Sequence, residues 1–467
     1  MSDIKKQFEA LQAATLRLRN SSAEERAAKI RALTAETLAR KEDLFKATHA
    51  ERGTHDLDVA AELMMLKTEG DYVAKNLTKW AKPHKVKGSM GTFGKKCEIR
   101  YQSKGVVLNM AAYNAPTAES FVPAIAAIAA GNAVMIKPSE YAPESAQIIQ
   151  GIVNKVFPAD EVQVVQGGVK VAQELLALPF NHIYYTGGNA VGKIVMKAAA
   201  DNFASITLEM GGKSPVIIDE TADLENAATK LAWGRVMNAG QVCIAPEYVI
   251  VHESKYDEFT KLIGEKIDAL YNSDGKGLEN SAYVPRLINE RHHQRVAGLI
   301  KDATKKGATI SFGGGSDKKS RYIEPTILTN VSEDMDVMNE EVFGPVMAIM
   351  PYKNRAEVID IIAKRPNPLA LYIYSKDNDA VEYFLTNTSS GSAVVNNNCV
   401  QAGTNPNLPF GGVGASGMGR SGGFEGFKEM SNARSIVHQP LDRFRDFLIQ
   451  LPPYSDKYKN IIMKAIK

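Results

Sequence analysis

An α/β chain built on two successive parallel-sheet units is the fold class predicted here, and three observations predict it. From Gly105 onward, short β-branched runs alternate with helical stretches, the pattern of a parallel sheet with helices on both faces. A second α/β unit begins near Gly212 with its own series of strand-like runs. The 467 residues suffice for two or three domains with cores that need neither disulfides nor metals.

The elements follow in order. Ser2 to about Lys82 carries apolar positions at helical spacing and predicts several long helices, broken at Asn20-Ser21-Ser22, whose side chains suit an N-cap before Ala23. His84 to Lys104 is rich in lysine and glycine and predicts a two-stranded excursion built around Gly88 to Lys95. Strands are then predicted at GVVLNM, AVMIKP, VQVVQGG, HIYYTGG, ASITLEMGG and SPVIIDE, with helices at Phe121–Ala130, Glu144–Val156, Val171–Leu178 and Val191–Asp201. Further strands are predicted at Tyr248–His252, Val346–Tyr352, Leu369–Tyr374 and Gly391–Asn396. There is no internal repeat, and the tail after Gln439 reads as an amphipathic helix suited to packing on a neighbour.

Composition excludes several classes. With 44% hydrophobic and 23% charged residues the chain is an ordinary globular one, and a net charge of +3 is too small a bias to argue for nucleic acid or an anionic membrane as partner. Cys97, Cys243 and Cys399 are odd in number and widely spaced, without the CxxC or Cys/His spacing of a zinc site, so a reducing compartment and no metal are expected. The N-terminus has no apolar signal core, which predicts a cytoplasmic protein. Phe121 to Ala130, the longest apolar stretch, falls well short of the roughly 20 residues that span a bilayer, so no membrane insertion is expected.

Three residues stand out for chemistry. Cys243 lies in NAGQVCIAPEY, where Gly240 permits a tight turn before an apolar run; alone it is as consistent with a buried structural thiol. Glu209 in ITLEMGGKSP ends a run that should be buried, where a carboxylate has to be paired, hydrated or catalytic; the plain alternative is a salt bridge to Lys213. Asn114 in NMAAYNAP follows a strand and precedes Pro116, placed to donate to an oxyanion or to form a turn.

Together with MIKPSE, YYTGGNAVG, EEVFGP and LPFGGVGASGMGR, these segments resemble the aldehyde dehydrogenase superfamily in the right order over almost the whole chain. AVGKIVMKAAA, GQVCIAPEY, RYIEPTIL and the late PPY are most similar to its class 3 branch, which handles fatty and aromatic aldehydes. The resemblance implies a Rossmann-like cofactor domain (1–83 and 105–210), an α/β catalytic domain (211–391), a small β oligomerisation element (84–104 and 392–440) and a C-terminal tail (441–467). It implies NAD(P)-dependent oxidation of an aldehyde by a homodimer, with medium-chain aliphatic or aromatic aldehydes favoured. Cys243 would be the nucleophile, Asn114 and the Cys243 backbone N–H the oxyanion donors, and Glu209 the base that hydrolyses the thioester.

Lys137, Ser139 and Glu140 would hold the adenosine ribose, and Gly187, Gly188, Val191 and Gly192 the pyrophosphate turn. Outside that context KPSE is an ordinary strand end with Ser139 capping a helix. Many relatives carry serine where Gly188 stands, which puts one cofactor contact in doubt. Glu341 and Phe343 match the nicotinamide-ribose residues; otherwise they are a surface acid beside a core ring. NAD is slightly favoured over NADP, because Glu140 would repel a 2′-phosphate.

Tyr113, Val242, Ile244 and Phe410 would line the aldehyde pocket, and Val242 and Ile244 argue for an apolar substrate. Against this, the loop NNNCVQAGTNPN is unusually polar. Glu209 favours hydrolysis over transfer to coenzyme A. A semialdehyde-specific or CoA-acylating relative is the alternative within the superfamily, and a non-catalytic protein that kept the fold is the alternative outside it.

Overall fold

The computed structural model describes residues 3–401, 403–441 and 452–466. Four helices open the chain, α1 (Asp3–Arg19), α2 (Ala23–Ala39), α3 (Lys41–Arg52) and α4 (Asp56–Trp80). The predicted break holds, since Ser22 caps α2 by accepting a hydrogen bond from Glu25 N. The Lys/Gly-rich excursion is a hairpin, β1 (His84–Lys85) antiparallel to β2 (Lys96–Ser103).

The first sheet is built from β3 (Val106–Met110), α5 (Pro116–Ala129), β4 (Ala133–Lys137), α6 (Pro143–Val156), β5 (Val162–Val164), α7 (Val169–Leu176), β6 (His182–Gly187), α8 (Asn189–Asp201) and β7 (Ser205–Met210). The strands run parallel in the order β7-β6-β3-β4-β5. Helices cover both faces, which is why Val106 to Met110 and Ala133 to Lys137 are buried at every position.

The second sheet begins with β8 (Pro215–Ile218), α9 (Leu224–Val236), β9 (Tyr248–His252), α10 (Glu253–Tyr271) and α11 (Glu290–Lys305). β10 (Thr309–Phe312), a two-residue ladder of β11 (Ser316–Asp317) with β12 (Tyr322–Ile323), β13 (Thr326–Thr329), α12 (Asp336–Asn339) and β14 (Val346–Tyr352) follow. α13 (Arg355–Ala363), β15 (Ala370–Tyr374), α14 (Asn378–Asn387) and β16 (Ser392–Val395) complete it. Its order is β10-β13-β14-β9-β8-β15-β16, with β10 alone antiparallel. The four-residue β10 and β13 lie outside the strands expected from sequence. β16 corrects a boundary: residues 392–395, assigned above to the oligomerisation element, pair with β15 from Ala370↔Ser392 to Ile373↔Val395 and so belong to the catalytic sheet.

The chain then returns to the first sheet. β17 (Gly417–Met418) pairs antiparallel with β7, α15 (Gly423–Glu429) packs on α4 and α5, and β18 (Ser431–His438) pairs with all eight residues of β2. In the tail, α16 (Asp456–Ala465) exposes Ile461, Ile462 and Met463. Residues 442–451 of the predicted helical tail, like Ser2, lie outside the described residues. No helix among the described residues is long and apolar enough to cross a membrane.

Three buried glutamates from α3 and α4 cap helices far along the chain. α5 and α6 begin with proline after alanine N-caps that offer no side-chain bond. Glu62 accepts from Thr117 N (2.7 Å) and Ala118 N (2.8 Å) at α5, and Glu51 accepts from Ser145 N (2.9 Å) at α6. Glu69 accepts from Gly423 N (2.8 Å) at α15. A carboxylate is favourable at a helix N-terminus, where the first N–H groups have no partner within the helix.

Candidate active site

The carboxyl ends of β4, β3, β6 and β7 lie side by side, with Met110 paired to both Lys137 and Tyr185 and Gly187 paired to Met210. Lys137, Asn114, Gly187 and Glu209 therefore emerge along one edge, the place where open parallel sheets bind ligands. The loops that enter the second sheet face this edge and bring Cys243 to it.

The nucleophile loop is held in an uncommon conformation. Asn238, Ala239 and Gly240 take φ of 50°, 52° and 70° in succession. A Cβ at Gly240 would collide with the Gly344 carbonyl, so glycine is required there. Left-handed non-glycine residues cost of order 1 kcal/mol each and persist where surroundings over-determine them. Two buried networks do so. Arg52 donates from Nε to Asn238 Oδ1 (2.9 Å) and from its terminal nitrogens to the carbonyls of Tyr113 (3.3 Å) and Asn114 (3.2 Å). Asn238 Nδ2 in turn donates to Asn114 O (3.0 Å) and Gln241 O (3.1 Å), tying the Asn114 backbone to the loop two residues before Cys243.

The second network centres on Glu247. It accepts from Lys213 Nζ (2.7 Å), Arg235 (2.8 Å) and Val342 N (2.8 Å), and Arg235 also donates to the carbonyls of Pro246 (2.8 Å), Gly240 and Gly344. Four segments are fixed together: the glycine loop after Glu209, α9, the nucleophile loop and the loop carrying Glu341 and Phe343. The salt bridge considered for Glu209 is thereby corrected, because Lys213 is committed to Glu247. Neither Arg52 nor Glu247 stands out from sequence; an acid immediately before a strand was the available signal for Glu247.

Glu209 is 6% exposed, with Oε1 accepting from Tyr184 Oη at 3.4 Å and Oε2 buried without a partner. Burial, then the nearby Glu119 carboxyl, pushes its pKa well above the usual carboxylate range. Cys243 is half-buried, and burial followed by the carboxyls of Glu119, Glu341 and Glu209 pushes its thiol up. The side-chain amide of Asn114 has no protein partner among the described residues. Glu341 reaches the same place: its carboxyl occupies the space of a Cβ on Gly211, and burial raises it to about 8.

The turn after β6 has the space a phosphate needs. Gly188 is the N-cap of α8, makes no side-chain cap, and nothing lies within 4 Å of where its Cβ would be. Gly192 packs closely on Met210, whose Sδ would lie 2.5 Å from a Cβ there, and Val191 is 43% exposed beside the turn. Lys137 is buried with Nζ 3.0 Å from Glu140 Oε2, presenting an ammonium and a carboxylate together. Ser139 accepts from Tyr141 N (3.3 Å) and so closes a turn; α6 starts later, at Pro143, which corrects its reading as a helix cap.

The four residues expected to line the pocket fall on two separate clusters. Val242 and Phe410 pack with Cys243 on one hydrophobic cluster. Ile244 is 3% exposed within that cluster, so it is core and offers a substrate little surface. Tyr113 is buried with Ala142, Ile288 and Phe343, its ring 5.9 Å from Phe343. Spacing along the chain could not separate these, because it does not give the direction of a side chain in a loop. The polarity of the late loop also resolves: Asn396 bonds Ser375 N (2.9 Å) and O (2.8 Å), Asn398 donates to Tyr374 Oη (2.9 Å) and Gln401 to Tyr372 Oη (3.0 Å).

This site on this pair of sheets defines an aldehyde-oxidising enzyme: residues 1–436 match the model of the aldehyde dehydrogenase family, and the chain belongs to that family. It is similar to the 4,4'-diaponeurosporen-aldehyde dehydrogenase of Staphylococcus aureus, 38% identical over 90% of each chain. It is 39% identical to aldehyde dehydrogenase family 3 member A2 of Macaca fascicularis over 89% of this chain and 84% of that one. Its fold superposes on substrate-bound Staphylococcus aureus AldH with a TM-score of 0.92 and 36% identity over 100% of both chains. A Mycobacterium tuberculosis aldehyde dehydrogenase complexed with NAD+ also superposes, with a TM-score of 0.83 at 29% identity over 93% of this chain and 89% of that one. The chain is an NAD(P)-dependent aldehyde dehydrogenase.

The cofactor fit suggests a direct check. Gly188→Ser adds a hydroxyl into open space at a φ of −77° that any residue adopts. Stability should change by less than about 0.5 kcal/mol, and one added hydrogen bond should tighten the cofactor Kd about two- to tenfold. Chemical denaturation and fluorescence titration with NAD and NADP measure both.

Proposed function

We propose that the enzyme oxidises apolar aldehydes, aliphatic or aromatic, to carboxylic acids through a thioester on Cys243. The observation that carries the substrate class is the shared packing of Cys243 with Val242 and Phe410 on one apolar cluster, while Asn396, Asn398 and Gln401 of the late loop bond into the sheet. Relatives named for apolar aldehydes support it, among them a probable coniferyl aldehyde dehydrogenase of Pseudomonas aeruginosa.

Burial and the neighbouring carboxyls raise the pKa of both Cys243 and Glu209, so each is disfavoured as an anion, and more so while the other is charged. Cys243 loses its thiol proton to solvent, with Glu209 assisting, and the thiolate Sγ attacks the carbonyl carbon. The oxyanion is held by the Asn114 amide and the Cys243 backbone N–H. Bound NAD or NADP supplies the hydride acceptor that this oxidation requires. Gly188 at the start of α8 and the Lys137–Glu140 pair would hold it, with Gly187, Val191 and Gly192 shaping the turn, Ser139 next to the pair, and Glu341 and Phe343 at its reactive end. NAD is favoured over NADP by the Glu140 carboxylate. Glu209 then removes a proton from water, the oxygen adds to the thioester carbon, and the C–S bond breaks to release the acid.

Glu209→Gln keeps the geometry and removes the base. Steady-state turnover should fall by roughly 10²- to 10⁴-fold, while stopped-flow absorbance still records a first burst of reduced cofactor. Loss of the burst would transfer the first deprotonation wholly to this residue. To test substrate class, hexanal, benzaldehyde and succinic semialdehyde are each offered with NAD and with NADP. Preference for the semialdehyde would overturn the apolar assignment, and consumption of coenzyme A would overturn hydrolysis.

A homodimer in a reducing, cytoplasmic setting completes the proposal. β18 is an eight-residue outer strand of the small sheet, exposed at six of its eight positions, and an edge of that length invites pairing with a second chain. Reaction through a free thiol suits a reducing compartment. Light scattering on the purified protein measures the assembly.

A further inference from the structure

Helix α5 carries one acidic side chain that the steps above leave unused. Glu119 stands in its first turn, five residues after Asn114, with its backbone N–H donating to Ala115 O (2.9 Å) and its carbonyl accepting from Asn109 Nδ2 (3.0 Å). Asn109 also donates to Ser120 O (2.9 Å), so this turn is pinned to β3. The face it looks onto is set by strand register. Thr186 on β6 is the direct partner of Glu209 on β7, and Tyr184, two residues earlier on β6, packs in the same core as α5. Tyr184, Thr186 and Glu209 therefore point to the α5 side of the sheet, where Glu119 meets them.

The charged and titratable groups around this point are few. Glu119 faces Thr186 and Glu209 from the sheet, Tyr184 beside them, Glu62 from α4 and Cys243 from the catalytic domain. Glu209 also faces Arg420 and Glu429. Glu62 already takes the Thr117 and Ala118 N–H groups at the head of α5, which removes the donors that would otherwise hold a charge on Glu119. Burial brings Glu119 to about 7, with the Thr186 hydroxyl working against that rise and Glu62 adding to it. Glu119 is half-buried and so more open to solvent than Glu209, whose exposure is 6%.

We propose that Glu119 and Glu209 act as a coupled carboxyl pair, in which Glu119 takes over the proton that Glu209 draws from the attacking water and passes it to solvent. In the step, a water O–H bond breaks and its proton goes to the Glu209 carboxylate as the oxygen bonds to the thioester carbon. The C–S bond then breaks to leave Cys243 as thiolate. The Glu209 proton moves to the Glu119 carboxylate and leaves to bulk water, which restores the charged base. Two carboxyls close together in a dry site hold one charge more easily than two, so the second stores a proton while the first works. Glu119 is a positioning residue in this scheme, since it acts through Glu209, and the proposal rests on the thioester-hydrolysis reading of that residue.

Glu119→Gln, Glu119→Asp and Glu209→Gln are compared in the full-length enzyme by burst kinetics and by steady-state rate against pH with hexanal and NAD. Glu119→Gln should keep the burst, slow steady-state turnover about tenfold and move the acid limb of kcat about one pH unit lower, because a like charge beside Glu209 is gone. Iodoacetamide alkylation of Cys243 in the cofactor-free protein should shift to lower pH in the same variant, and Glu119→Asp should recover most of the rate. Unchanged rate and pH profile in Glu119→Gln, with Glu209→Gln slowed, would overturn the relay alone. Normal turnover in Glu209→Gln would overturn the underlying reading as well. Loss of the burst in Glu119→Gln, or equal loss in Glu119→Asp, would show that Glu119 only props the helix behind Asn114.

Discussion

Cys243→Ala is expected to abolish aldehyde oxidation, by about 10⁴-fold or more. No neighbour can replace the thiol. Cys399, the other sulfur packed on this cluster, donates towards Ile244 O at 3.7 Å and is raised to about 12 by burial, so it stays a neutral thiol. Removing one sulfur from a half-buried site should leave the fold and the cofactor surface intact. Reduced-cofactor absorbance with hexanal measures the loss, and fluorescence titration with NAD measures retained binding. Turnover near the wild-type level would remove Cys243 as nucleophile.

The largest expected effect on stability comes from Glu247→Ala. Arg235 is 1% exposed and Lys213 6%, and both are neutralised by this one carboxylate. Leaving a buried pair half broken costs about 3–5 kcal/mol. Burial alone would raise Glu247, yet attraction from Lys213 and then Arg235 outweighs it, and the folded pKa lies below the ordinary carboxylate value. Its contribution is therefore complete above the unfolded carboxyl range and fades as pH falls towards the lower folded value. Urea denaturation at pH 7 and at pH 4 should show the wild-type advantage shrinking at the lower pH. An advantage that stays constant would mean that Glu247 is not the group whose charge is at stake.

The architecture was legible where the code is local. Runs such as AVMIKP and HIYYTGG are buried on both faces and hence mostly apolar, while Ser22 caps the helix that follows it and Gly240 supplies a left-handed turn. Lys137, Glu209 and Gly187 came together because parallel strands deliver their carboxyl ends to one edge. What stayed hidden depends on distant partners. Lys213 pairs with Glu247, 34 residues away, rather than with the acid nearest in sequence. Ile244 and Tyr113 neighbour Cys243 and Asn114 along the chain but turn into the core. β10 and β13 are four residues each, too short for periodicity to register.

The remote caps have a consequence for how this polypeptide matures. Glu51 and Glu62 wait for residues 94 and 55 positions ahead, and Glu69 waits for Gly423, 354 positions ahead. At a synthesis rate of about 5–20 residues per second, the opening helices leave the ribosome many seconds before their last partner exists. Until its partner emerges each of these carboxylates, destined for the interior, remains hydrated, and the last of them, Glu69, keeps the amino-terminal layer from sealing. Completion of this layer is thus a late event: α15 locks a helix made 354 residues before it.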